Sequence, residues 1–228
     1  MAVLNIKGDI VTNEYRRFYE YFEWECACPS MVTEAINARE NGETLDVYIN
    51  SGGGLVSAGQ EIYSLLRAAD NVRIHIDGQA CSAASIIACA GYCEITPVGL
   101  IMVHRVSAIT HGNANDMTAT AKTLKTFDEA IAQAYVQKSG MSLEKAISLM
   151  DKETWLTANQ CLELGLVDAI TGTTAESDWG RLTAAAGGIR ITPEMMQQAE
   201  HEMKAKEQKA QKDAKKEEIT SDLWKYGI

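Results

Sequence analysis

The sequence predicts an α/β fold with a mostly parallel sheet and crossover helices. Two observations carry this. Short apolar runs such as Leu45–Asn50 and Val72–Ile76 alternate with longer segments of helical periodicity, the βαβα order that forces parallel strand pairing. Most of these runs end in glycine or polar residues just before a helix begins. With 228 residues, 46% of them hydrophobic and 23% charged, the chain also has enough apolar material for a sizeable core.

Taken in order, Val3–Ile10 reads as a first strand, followed by an aromatic cluster (Tyr15, Phe18, Tyr19, Tyr21, Phe22, Trp24) suited to core or subunit packing. Pro29-Ser30 opens a helix with Ser30 as the expected cap, and Asn41-Gly42 stops it. Leu45–Asn50 is a strand running into Ser51-Gly52-Gly53-Gly54, and Leu55–Ala69 is a helix. After the strand Val72–Ile76, Gly78-Gln79-Ala80 reads as a turn and Ser82–Ala90 as a short apolar helix. Glu94–Thr96 and Ile101–Val103 are further short strands, and Ser107–Asn115 is a polar loop. Leu124, Phe127, Ile131, Ala134 and Tyr135 recur at three- and four-residue intervals, which predicts a long helix over Asp116–Lys138 ending at Gly140. Ser142 caps the next helix; Trp155–Thr157 is extended, Thr157–Leu164 helical, and Gly165–Ile170 a turn and a strand.

Composition changes near Thr171. Residues 1–170 are expected to form the main domain, 171–191 a linker rich in Gly, Thr and Ala, and 192–228 a charged helical or disordered extension. Within that extension Thr192-Pro193-Glu194 supplies a helix cap with proline at the first helical position.

Charge narrows the function. A net charge of 21 − 31 = −10 argues against the basic footprint of a nucleic-acid binder. No stretch approaches 18 apolar residues and the N-terminus lacks a signal peptide's pattern, so a cytoplasmic protein with no membrane partner is expected. Six cysteines without a secretion signal are expected to stay reduced. Cys26-Ala27-Cys28 has the wrong spacing for half a zinc site and no neighbouring histidine, so neither metal nor cofactor is expected.

Three segments carry polar chemistry. Asn50-Ser51-Gly52-Gly53-Gly54 sits at a strand end, where consecutive glycines allow close backbone approach; it lacks the Lys-Ser/Thr of a P-loop, and a plain tight turn is the alternative. Gly78-Gln79-Ala80-Cys81-Ser82 puts Ser82 at a helix start, where it is either a cap or a nucleophile beside free amides. It is not the G-x-S-x-G elbow. His104 closes an apolar strand 22 positions later and has the side chain a serine needs as a base. His75, inside a strand, and His111, in the polar loop, are weaker candidates.

Together these segments resemble a family. Val47-Tyr48-Ile49-Asn50-Ser51-Gly52-Gly53-Gly54, Gly78-Gln79-Ala80-Cys81-Ser82, Ile101-Met102-Val103-His104 and Gly165-Leu166-Val167-Asp168 are similar to the Y-I-N-S-P-G-G, G-Q-A-A-S, M-I-H and G-L-V-D of the Clp protease proteolytic subunit, in the same order, from Leu4 to Ile170. The resemblance implies a crotonase-like spiral of ββα units and a serine endopeptidase. Carried over by position, Ser82 matches the nucleophile and His104 the base, and the amides of Gly54 and Ala83 match the oxyanion hole. The third member of the triad falls on Glu153, with Asp151 as its rival.

Departures from the family pattern bear on biology. The chain enters its first strand almost at once, where ATPase-dependent members carry an axial-gate segment; Arg105-Val106 replaces glutamine-proline after the histidine; and a charged C-terminal extension is added. The pattern resembles the phage and prophage branch, which implies an ATP-independent homo-oligomeric ring cutting capsid or scaffold proteins in head maturation. An ATPase-coupled Clp subunit is the runner-up; a crotonase-like acyl-CoA enzyme and an inactive assembly protein are the alternatives from other classes.

Overall fold

The computed structural model describes residues 2–171, 191–206 and 209. The chain divides into two compact units, residues 1–189 and 190–228. The expected linker falls almost wholly outside the described residues, as does the chain beyond 209.

The first unit runs β1 (Ala2–Ile10), α1 (Asn13–Tyr21), β2 (Cys26–Ala27), α2 (Pro29–Asn37), β3 (Leu45–Gly54), α3 (Val56–Ala68), β4 (Val72–Cys81) and α4 (Ala83–Ala88). It continues with β5 (Tyr92–Ile95), β6 (Leu100–Val103), α5 (Ala114–Ser139), α6 (Leu143–Asp151), β7 (Thr154–Thr157), α7 (Ala158–Glu163) and β8 (Ala169–Ile170). Strands β2-β1-β3-β4-β5-β8 form a parallel sheet. The mixed α/β class and the mostly parallel sheet are those the sequence predicts.

One strand divides the sheet. The first half of β4 pairs with β5, Arg73 to Ile76 against Tyr92 to Ile95, and its last residues, Gln79 to Cys81, pair with Leu100 to Met102 of β6. β6 also carries β7 in the sheet's antiparallel pair. Gly78-Gln79-Ala80 is therefore strand and not the expected turn: its glycine and polar residue look turn-like locally, but β6 supplies the ladder partner. The inner face of the sheet is lined by Ile6, Val47, Ile49, Ile74, Ile76 and Ile95, all essentially inaccessible to water, a burial worth about 1.5–3 kcal/mol for each large aliphatic side chain.

Two helix ends show the expected local chemistry, and one helix start departs from it. Ser142 caps α6 by accepting from Lys145 N, and Gly140, at φ +75°, ends α5 in the left-handed region. The expected Ser30 cap is not one: Cys28 holds the N-cap position, Pro29 is the first helical residue, and Ser30 N donates to Asn13 Oδ1. Proline prefers that first position because its missing N–H would be unpaired there anyway.

Most of the aromatic cluster becomes α1 and the turn after it, with Phe18 and Tyr19 buried. The apolar stripe of the long helix is covered only toward its end. Ile131, Ala134 and Tyr135 are buried, while Phe127 stays 39% exposed and the turns before it project from the domain.

Asp168 closes the unit. Its carboxylate accepts from Cys93 N at 2.7 Å and pairs with Lys138, whose ammonium also donates to Gly91 O, so the last turn of α5 is tied to β5. In the second unit residues 193–206 are helical, and Thr192 Oγ1 accepts from Met195 N at 3.3 Å, the capping arrangement expected from Thr192-Pro193.

Candidate active site

The site lies where β4 and β6 end side by side. Cys81 pairs with Met102, and Ser82 N donates to Met102 O at 2.9 Å, so the residues that follow each strand emerge together. Ser82 Oγ and His104 Nε2 are 2.7 Å apart. Among the described residues this is the only side-chain hydrogen bond of His104.

Ser82 has φ +54° and ψ −120°, a conformation that costs a non-glycine residue about 1–3 kcal/mol and persists only when its surroundings hold it. The strand-to-helix turn thereby lifts the side chain out of the helix start; Ser82 caps nothing with its hydroxyl. The turn is compact because glycine faces it. A Cβ on Gly53 would lie 2.7 Å from both Ser82 Cβ and Cys81 O. A Cβ on Gly54 would lie 2.2 Å from Ile10 O, on the other side.

Gly54, Ala83, Ser82 and His104 line one pocket of about 60 Å³, closed on its apolar side by Ile86 and Ile131. Four of the five residues singled out in the sequence are thus gathered. Ala83 is the first residue of α4, so its N–H has no acceptor within the helix.

Glu153 is placed differently. The β6–β7 ladder ends with Val103 paired to Thr154, so His104 and Glu153 are the residues just beyond it on the two strands. The Glu153 side chain is exposed, its backbone is at φ +46°, and it makes no hydrogen bond to His104. Asp151 is engaged elsewhere, accepting from Arg105 Nε at 2.7 Å, and the guanidinium holds this carboxyl below the usual carboxylate range.

Several neighbours were not singled out in the sequence. Asp128, 4% exposed, accepts from Arg105 at 3.0 Å and from Val106 N at 2.8 Å, pinning the segment after His104 to α5. A carboxylate set among the apolar positions of the long helix was the available signal. Ser85 and Tyr135, buried beneath Ser82, gave no signal beyond their place in apolar helices.

The other candidates lie apart. His75 is buried on β4, stacked on Tyr48 and bonded to Asp46 Oδ1 at 3.0 Å. Cys81 adjoins Ser82, but burial pushes its thiol up to about 12, so it is held as the unreactive protonated form. No group of three or more His, Cys, Asp or Glu among the described residues could hold a metal ion. No helix among them is long and apolar enough to cross a membrane.

Comparison with known proteins gives a consistent result. Two curated proteins, the ATP-dependent Clp protease proteolytic subunits of Bacteroides fragilis strains ATCC 25285 and YCH46, are each 28% identical to the chain over 139 residues. The matched stretch is 59% of this chain in both cases, and 67% and 63% of the respective relatives. The Clp protease family model matches residues 28–174, more than half of the chain and the whole span from β3 to β8. Because that match covers more than half of the chain, this chain belongs to the Clp protease family.

Proposed function

We propose that the chain is the subunit of a serine endopeptidase. Ser82 Oγ attacks the carbonyl carbon of a peptide bond while His104 Nε2 takes its proton. The resulting oxyanion is held by the amides of Gly54 and Ala83, a contribution of about 3 kcal/mol per donor. His104 then returns the proton to the leaving amine, water repeats the cycle on the acyl-serine, and Glu153 orients the imidazole. The observation that carries this reading is the 2.7 Å contact between His104 Nε2 and a Ser82 held at φ +54°.

The substrates we propose are capsid or scaffold proteins, cut in the cytoplasm without ATP during phage head assembly. Arg105-Val106 after the histidine and the charged segment from residue 192 support that branch of the family. The subunits assemble into a closed ring, for which the projecting first half of α5 and its exposed Met117 and Phe127 offer contact area. An ATPase-coupled subunit is the second reading, favoured by the names of both relatives.

Intact-mass analysis after fluorophosphonate treatment tests the chemistry. One adduct is expected, on Ser82, absent from Ser82→Ala and His104→Ala. Labelling at Ser85, or turnover of a CoA thioester with no labelling at all, overturns the assignment. A pull-down with a bacterial unfoldase separates the two readings of ATP dependence, since only the second expects capture. Light scattering that finds a monomer at micromolar concentration rules out the ring.

A further inference from the structure

The carbonyl of Ser82 is anchored by two buried hydroxyls in series. Ser82 O accepts from Ser85 N at 3.0 Å and from Ser85 Oγ at 2.6 Å, and Ser85 Oγ lies 2.8 Å from Tyr135 OH. Ser85 is 0% exposed and Tyr135 is 3%. A carbonyl can only accept, so the single hydroxyl hydrogen of Ser85 is committed to Ser82 O. The hydrogen between Ser85 and Tyr135 is therefore the tyrosine's, and the relay runs Tyr135 O–H to Ser85 Oγ–H to Ser82 O. Burial pushes the phenol of Tyr135 well above its usual range, which keeps it a donor at any working pH.

The Ser82–Ala83 peptide is planar and trans, so its carbonyl oxygen and its N–H point in opposite directions. Anchoring the oxygen on one side aims the Ala83 N–H on the other. The anchor acts on the residue with the strained dihedrals, and fixing its carbonyl is the direct way to hold ψ at −120° against relaxation. Since Tyr135 stands on α5 and lines the pocket, the long helix reaches the reacting centre through one hydroxyl.

We propose that Ser85 and Tyr135 are positioning residues which, through the Ser82 carbonyl, set the Ala83 amide in line with the carbonyl oxygen of a bound substrate. This rests on the reading of Ser82 as nucleophile. Neither residue touches the substrate's reacting atoms. Their effect falls on the rate of the chemical step, and on neither the binding that precedes it nor the titration of His104.

Inactivation of the full chain by a small fluorophosphonate, resolved into kinact and the half-saturating concentration, provides the test, because the phosphoryl oxygen occupies the same oxyanion position. In Ser85→Ala, kinact should fall about tenfold or more, and in Tyr135→Phe about threefold, with half-saturation unchanged and the acid limb of the kinact profile at the wild-type pH. The double variant should be no slower than Ser85→Ala, since the tyrosine has nothing to act through once the serine hydroxyl is gone. Thermal melts show which variants are folded, and Tyr135→Phe, which removes one oxygen atom, serves if Ser85→Ala does not fold. Unchanged kinact in the folded variants, additive losses in the double variant, or a shifted acid limb would each overturn the relay. A wild-type chain that gives no Ser82 adduct would instead remove the peptidase reading on which it rests.

Discussion

Val103 faces Thr154 across the antiparallel ladder of β6 and β7, the last residue before His104 on one strand and the first after Glu153 on the other. Glu153 thus adjoins the ladder that ends before His104, with its side chain exposed. Glu153→Gln should lower kcat about a hundredfold or more, by analogy with the loss of an orienting carboxylate in other triads, while Asp151→Asn changes kcat less than about threefold. Steady-state cleavage of an unfolded model protein by both variants decides between the two carboxylates; the reverse ranking would assign the role to Asp151.

Asp151 has a pH signature of its own. Its carboxyl is lowered by the hydrogen bond from Arg105, so the folded form holds the charge more readily than the unfolded chain does. The stabilisation from this pair is present above the ordinary carboxylate range and is lost as pH falls through the lowered value. Denaturant unfolding should show wild type ahead of Asp151→Asn at pH 7 and level with it near pH 2.

Removal of Asp128 should be more damaging than removal of Asp151. It satisfies both Arg105 and the half-buried Val106 amide from inside the domain, and Asp128→Ala leaves the Val106 amide without its acceptor and Arg105 with Asp151 alone. A loss of about 2–4 kcal/mol in denaturant unfolding is expected, together with slower Ser82 labelling, because the segment following His104 loses its tether.

Two glycines, one in the loop before β3 and one at its end, provide a graded test. Gly42 has φ +81° and open space around it, so Gly42→Ala pays only for the left-handed backbone, about 1 kcal/mol. Gly54→Ala adds a collision with the backbone of Ile10 and should cost several times as much or prevent folding. Thermal melts of the two variants would show equal losses if β1 yields freely.

Thiol reagents should spare the activity. Burial raises Cys81, Cys89 and Cys161 each to about 12, so almost no thiolate exists at pH 8, and the partly exposed Cys26 is pushed up to about 11. Iodoacetamide at pH 8 should leave the native chain's hydrolytic activity unchanged over an hour while fluorophosphonate abolishes it. Inhibition by iodoacetamide would point to Cys81 in place of Ser82.

The parallel sheet was legible because it depends on order along the chain, an apolar run, a glycine-containing junction, a helix; Ser82 and His104 were linked only through the resemblance of their motifs to a family. What escaped was set by partners distant in sequence. Gly78-Gln79-Ala80 looks like a turn until Leu100 to Met102 lie beside it. The stripe Leu124, Phe127, Ile131, Ala134, Tyr135 announces a helix but cannot say that only its second half finds a surface to cover. The hydroxyl relay was invisible for the same reason, since Ser85 and Tyr135 are 50 residues apart. The Ser30 cap failed on a local rule, because a proline at the first helical position hands the capping place to the residue before it.

The division of β4 between two neighbours bears on the order in which the site can assemble. Ser82 and His104 meet only once the end of β4 has taken β6 as its neighbour, and β6 in turn is flanked by β7, which begins at Thr154. A nascent chain that has not yet released β7 lacks both the strand that clamps β6 and the segment carrying Glu153. Because loop closure must precede long-range pairings, the β6–β7 ladder, whose partners are 51 to 57 residues apart, is expected to close after the β4–β6 ladder, whose partners are 21 apart.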